Sequence, residues 1–142
     1  MKRINRPAMA LALFILTAHS AHAGTAPVSL QSFWEGFKSA VSQKNKEAVS
    51  PLTQFPLSMP YGVKSVKTPS DFKARYGEIF NGEADAAKCF SKAKLQKKDP
   101  KNYFIACGFK DDPKGNGGEP IEYHFRETKS GWKFVGLDNI NE

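Results

Sequence analysis

Apolar residues at Leu30, Phe33, Trp34, Phe37 and Val41 fall at the i, i+3, i+4, i+7 and i+11 spacing of one helical face. The spacing predicts a helix from Leu30 to about Lys44, with Ser32 and Glu35 available as a capping box if it starts late. Asn45 can cap a second helix bearing Ala48, Val49 and Leu52, which Pro51 keeps short. In "QFPLSMPYGVKSV" the period changes to two. Phe55, Leu57, Met59, Tyr61 and Val63 alternate, punctuated by Pro56, Pro60 and Gly62, as in an irregular edge strand bent by its prolines. "TPSDF" then opens a helix: Thr68 is the cap, Pro69 takes the first helical position, and Asp71 faces the amides. Phe72, Tyr76, Ile79 and Phe80 form its apolar stripe, and Asn81-Gly82 is the stop.

"GEADAAKCF" reads as a short helical or turn segment ending at Cys89 and Phe90, and the lysine-rich "SKAKLQKKDPK" as a short edge strand and a loop. "NYFIACGF" puts Tyr103, Ile105, Cys107 and Phe109 on one face of a strand. After the loop "DDPKGNGGEP", Ile121 to Glu127 and Trp132 to Leu137 form a hairpin around "TKSG". Two or three helices followed by three or four antiparallel strands make an α+β arrangement in which helices cover the apolar face of the sheet. The order of an aromatic helix "FWEGFKSAV", a proline-bent strand, a capped helix "SDFKARYGEIFNG" and strands closing with "GWKFVGLDNI" resembles the nuclear transport factor 2-like, or cystatin-like, α+β roll of many small exported bacterial proteins of unknown role. The resemblance spans nearly all of the chain after residue 23 and implies N-terminal helices packed on a curved antiparallel sheet. Fold does not carry function, and the family has no single catalytic motif to transfer, so it implies no active-site residue.

The chain begins with cations at Lys2, Arg3 and Arg6, an uncharged and largely apolar run of eleven residues from Ala8 to Ala18, and the triplet Ala21, His22, Ala23. These are the parts of a secretory signal peptide cleaved before Gly24, and the run falls short of the roughly 20 residues that cross a bilayer as a helix. The expectation is therefore a soluble periplasmic or secreted protein with residues 1–23 removed and residues 24–142 forming one domain. Losing 23 of 142 residues leaves 119, and losing three cations with no acid takes the formal charge from +7 to +4. That mild surplus does not call for nucleic acid. Export would also carry Cys89 and Cys107 to an oxidising compartment, where the pair is expected to close as a structural disulfide rather than act in redox chemistry, since there is no C-x-x-C.

Candidate chemistry is sparse. His124 is the only histidine after residue 23, and it sits among Glu122, Tyr123 and Arg126. If Ile121, Tyr123 and Phe125 face the helices, Glu122, His124 and Arg126 point the opposite way, as a polar row on the outer surface of the sheet. A general base needs a pocket, a tuned pKa and a substrate within reach, so no catalytic residue is assigned. The glycines of "DDPKGNGGE" join two strands, whereas a phosphate cradle joins a strand to a helix. A calcium loop there would have Lys114 and Tyr123 at ligand positions, and neither a metal nor a cofactor is expected. Lys92, Lys94, Lys97 and Lys98 either guard an edge strand or, with Glu122, His124 and Arg126, form a partner surface. Tyr61, Arg75, Tyr76, Tyr123 and Trp132 are the candidates to line a cavity between helices and sheet. These features favour a non-enzymatic exported protein that binds a protein partner or a small apolar ligand. The alternatives are a small cavity lyase, isomerase or hydrolase using Arg75, Tyr76 and Tyr123, and a homodimer joined through the open sheet face.

Overall fold

The structure, a computed structural model, describes residues 26–59, 65–112 and 121–139. The expected signal peptide, Tyr61, and residues 113–120 of the glycine-rich loop lie outside them. The first helix, α1, spans Leu30–Ser42, and the Ser29 hydroxyl, rather than Ser32, caps it by accepting the Ser32 N–H. Its buried stripe is Phe33, Trp34, Phe37, Ala40 and Val41. Lys44 takes a left-handed conformation (φ 53°), and the Asn45 side chain then accepts the Ala48 N–H to cap α2, Lys46–Val49. A 3-10 turn over Ser50–Leu52 leads into the strand β1, Thr53–Ser58, and the two-residue strand β2, Ser65–Val66.

The capping box at Thr68 and Asp71 forms as the sequence predicts, but the helix it opens is divided. One helix, α3, spans Pro69–Ala74 and a second, α4, spans Tyr76–Asn81, with Arg75 between them in a non-helical conformation (φ −103°, ψ 12°). Phe72, Tyr76, Ile79 and Phe80 all reach the core across that break. Gly82 follows the end of α4, where a β-carbon would fall 2.4 Å from the Glu78 carbonyl oxygen, so the cap position requires glycine. The short helix α5, Ala86–Phe90, is followed by β3, Gln96–Asp99, β4, Asn102–Cys107, β5, Ile121–Thr128, and β6, Gly131–Asn139. Cys89 and Cys107 are joined, with 5.8 Å between their α-carbons, so the bridge ties α5 to the end of β4.

The sheet runs β2-β1-β6-β5-β4-β3. It differs from expectation in two ways. β1 is an interior strand, not an edge, and it pairs parallel with β6, while the other four pairings are antiparallel. The proline-rich sequence reads as an edge because Pro56 has no N–H for a ladder; the register shift between Thr53 and Ser58 opens the ladder where Pro56 sits. No hairpin connects β1 to β6, so nothing local dictates their relative direction.

One face of the sheet meets the helices through aromatic rings. Phe37 lies at the centre, with ring centroids 5.1 Å from Phe125, 5.5 Å from Phe134, 6.1 Å from Phe80 and 6.2 Å from Phe90. Trp34 meets Phe90 and Phe125 edge-on, a geometry that adds to the area term. Each fully buried phenylalanine contributes about 1.5–3 kcal/mol by removal from water, and Phe37, Phe72, Phe125 and Phe134 are all 0% exposed. This is the expected α+β roll, with helices on one side of a largely antiparallel sheet.

Candidate functional site

Strand parity holds through β5. Ile121, Tyr123 and Phe125 are buried against the helices, and Glu122, His124 and Arg126 occupy the outer face. Across the ladder His124 stands between Phe104 of β4 and Gly136 of β6, Glu122 between Ala106 and Asp138, and Arg126 between Asn102 and Lys133. The row is less solvated than the sequence implies. The His124 side chain keeps 22% of its exposure and Glu122 19%, with the imidazole Nε2 3.3 Å from the Glu122 Oε2. The His124 ring leans on Phe104 at 6.1 Å, and Gly136 opposite it presents no side chain. Burial pushes the His124 pKa below the usual histidine value, Glu122 pulls it back up, Lys98 lowers it, and Asp138 and Arg126 act weakly in opposite directions. Arg126 donates through Nε to the Asn102 Oδ1 at 2.8 Å, across the ladder.

His124 and Arg126, with Lys98, Asp99, Asn102 and Val135, line a shallow hollow of about 190 Å³ that opens to solvent. An imidazole beside a carboxylate has the makings of an acid–base pair, but catalysis also requires a site that surrounds the substrate and excludes water. A half-buried aromatic flanked by opposite charges suits recognition of another surface instead. Phe104 was not among the sequence candidates. Its signal was available, since placing Tyr103 and Ile105 inward leaves Phe104 outward.

The cavity candidates do not converge. Arg75, at the junction of α3 and α4, is held by Glu78 through Nε–Oε2 (2.9 Å) and Nη2–Oε1 (2.5 Å) contacts. Tyr76 is buried between Phe72 and Phe80, its hydroxyl has no hydrogen-bond partner among the described residues, and burial pushes its pKa up to about 12. The Tyr123 hydroxyl donates to the Ile79 carbonyl at 3.1 Å, deep in the core. Trp132 lies edge-on to Tyr103 and lines a different opening. The space beside Tyr123, bounded by Met59, Glu78, Ile79 and Leu137, measures only about 100 Å³, against the roughly 300–1,000 Å³ of small-ligand sites. An open groove of about 430 Å³ runs instead between the segment Ala26–Val28, α1, and the β5–β6 hairpin, with Phe33, Leu52 and Trp132 as its apolar floor. Among the described residues no cluster of three histidine, cysteine, aspartate or glutamate side chains is placed to hold a metal ion.

Lys97 and Lys98 lie on β3, where all four residues are exposed, and Lys92 and Lys94 precede it. Lys98 stands beside His124 on the outer face, whereas Lys97 pairs opposite Tyr103 and so points to the other side of the sheet.

No family model matches the chain, and no curated protein matches it. Among solved structures it is similar to an NTF2-like protein of unknown function from Pseudomonas putida KT2440, with 11% identity over 75% of this chain and 80% of that one, and a TM-score of 0.38. That protein is itself of unknown function, so the likeness brings no activity, ligand or partner with it.

Proposed function

We propose that this is an exported binding protein without chemistry of its own, and that it recognises a protein partner through the outer face of its sheet. The observation that carries the reading is the contrast between the two faces. The inner one is filled by aromatic rings, whereas the outer one holds Phe104, Glu122 and His124 half-buried beside Arg126 and Lys98. Export is supported by the charged, apolar and small-residue order of the first 23 residues and by the Cys89–Cys107 bridge, which suits an oxidising compartment. Among the described residues no helix is long and apolar enough to cross a membrane.

The test is affinity capture from the native cell envelope with the wild-type chain and with a Phe104→Ala/Arg126→Glu variant of unchanged circular dichroism. A partner that co-elutes with the wild type and is lost with the variant supports the reading; equal recovery sinks it. A turnover abolished by Tyr123→Phe or Arg75→Gln would establish the cavity enzyme in its place. The groove lined by Phe33, Leu52 and Trp132 favours a second reading, a small apolar ligand, which would displace an apolar fluorescent dye from the wild type but not from Trp132→Ala.

A further inference from the structure

Among the described residues the sheet has two free edges, and they are finished differently. At one end β2 is only two residues long, Ser65–Val66, too short to template a new strand. At the other, β3 runs four exposed residues, Gln96–Asp99, paired on one side with β4 and, among the described residues, open on the other. An open edge presents unpaired backbone N–H and C=O groups to whatever extended chain approaches.

Lysines surround this edge well beyond what guarding a four-residue strand requires. Lys97 and Lys98 are on it, Lys88, Lys92 and Lys94 precede it, and Lys101 follows. The lead-in is anchored rather than loose, since Ala93 and Leu95 pack against the core while Lys92 and Lys94 are exposed. The disulfide at Cys89 holds the segment's start against β4. The ion pairs among the described residues join Lys38 to Glu35, Lys73 to Glu47, Arg75 to Glu78 and His124 to Glu122, and none includes these six lysines. Lys44, Lys46, Lys67, Lys110, Lys129 and Lys133 also stand outside those pairs, but they are scattered, and Lys110 and Lys133 donate to the Asn81 and Pro51 carbonyls. The one acid within the run, Asp99, is turned into the β3–β4 turn, where it accepts the Lys101 N–H and the Asn102 side-chain amide.

From this geometry we propose that the open edge of β3 accepts an extended acidic segment of the partner as an added strand, with the lysines flanking it. The proposal rests on the outer-face reading and specifies its partner: an added strand would extend the same sheet and carry its alternate side chains onto the face of Phe104 and His124. A second copy of this chain would set lysine against lysine across the new ladder, so the charge that excludes self-pairing selects an acidic strand. A membrane or polyphosphate would use the charge but leave the strand's backbone groups unused.

The probe is a blocked peptide of about eight residues, close to the usual strand length, alternating glutamate and threonine. Controls of equal charge are N-methylated at every second residue, in both phases, and vesicles of anionic phospholipid serve as the membrane arm. The expected result is binding that shifts the backbone amides of Gln96–Asp99, weakens with salt, fails for at least one N-methylated phase, and weakens about tenfold or more in Lys97→Glu/Lys98→Glu. Equal binding of both N-methylated peptides, or binding to vesicles with none to the peptide, overturns the proposal. If the peptide fails while Phe104→Ala/Arg126→Glu still loses the captured partner, the strand-addition proposal falls and the outer-face reading stands. If the peptide binds as expected and capture is indifferent to Phe104→Ala/Arg126→Glu, the outer-face reading falls instead.

Discussion

Tyr76 and Tyr123 bury the same hydroxyl in opposite circumstances. Tyr123 donates to the Ile79 carbonyl, one of the last carbonyls of α4 and so one without a partner in its own helix. Tyr123→Phe strands that acceptor and is expected to cost about 1 kcal/mol, or a few degrees in melting temperature. Tyr76 has no such bond among the described residues, so Tyr76→Phe should leave the thermal melt unchanged or raise it slightly. The pH dependence separates them further. The Tyr76 pKa is raised from 10.0 to about 12 in the folded chain, so the unfolded chain loses its proton first and stability falls as pH rises through that window. Tyr76→Phe should flatten this alkaline decline. His124 acts on the acid side. Its folded pKa is depressed below the ordinary 6.5 by burial, so the unfolded chain binds the proton first and stability falls as pH drops below about 6.5. Glu122 and Arg126 on β5, Lys98 on β3 and Asp138 on β6 are the charges that face it. His124→Asn should therefore show a shallower loss of stability between neutral and mildly acidic pH, read from denaturant midpoints at several pH values.

At the scale of elements, the short pieces depend on what holds their ends. α5 has five residues, too few to persist alone, and it is held by the Asp85 cap, by the burial of Ala86 and Phe90, and by the bridge from Cys89. That bridge closes a loop with a sequence separation of 18, for which chain entropy gives roughly 3 kcal/mol. Reduction should lower the melting temperature by several degrees, and amide exchange should quicken first in α5 and the lysine segment leading to β3. An unchanged melt would mean the bridge adds nothing to the fold. The division of the expected Thr68-to-Asn81 helix also belongs to this scale. The apolar spacing and the cap at Thr68 describe a single helix well, and neither registers the turn at Arg75, whose side chain is committed to Glu78.

For the molecule as a whole, the decisive feature is that the space between helices and sheet is occupied. Phe37 touches rings from α4, α5, β5 and β6 at once. Phe37→Ala should cost about 3–5 kcal/mol, a large part of a total stability of about 5–15 kcal/mol. It should show as a much lower or poorly cooperative melt. An open ligand cavity at this position would tolerate the change far better, so the same measurement tests the filled-core premise on which the partner-binding reading depends.

Much of this architecture was legible in the residues because it is local. Helical spacing in α1, the Thr68 cap, the alternation of β5 and a lone pair of cysteines each act within a few residues or leave a single pairing open, and each formed as read. Tertiary packing decided the rest. Pro56 makes β1 look like an edge, yet β2 flanks it on one side and the remote β6 on the other. Arg75 and Tyr76 look like groups lining a cavity, yet one is tied to Glu78 and the other is packed among phenylalanines. His124 looks solvated, yet Phe104 from another strand shelters it. Arg75 and Tyr76 are settled by helical neighbours three and four residues away once the helix packs on the sheet, but for β1 and His124 the outcome depends on which residues arrive from distant parts of the chain, and periodicity and capping, which register only neighbours, carry no record of that meeting.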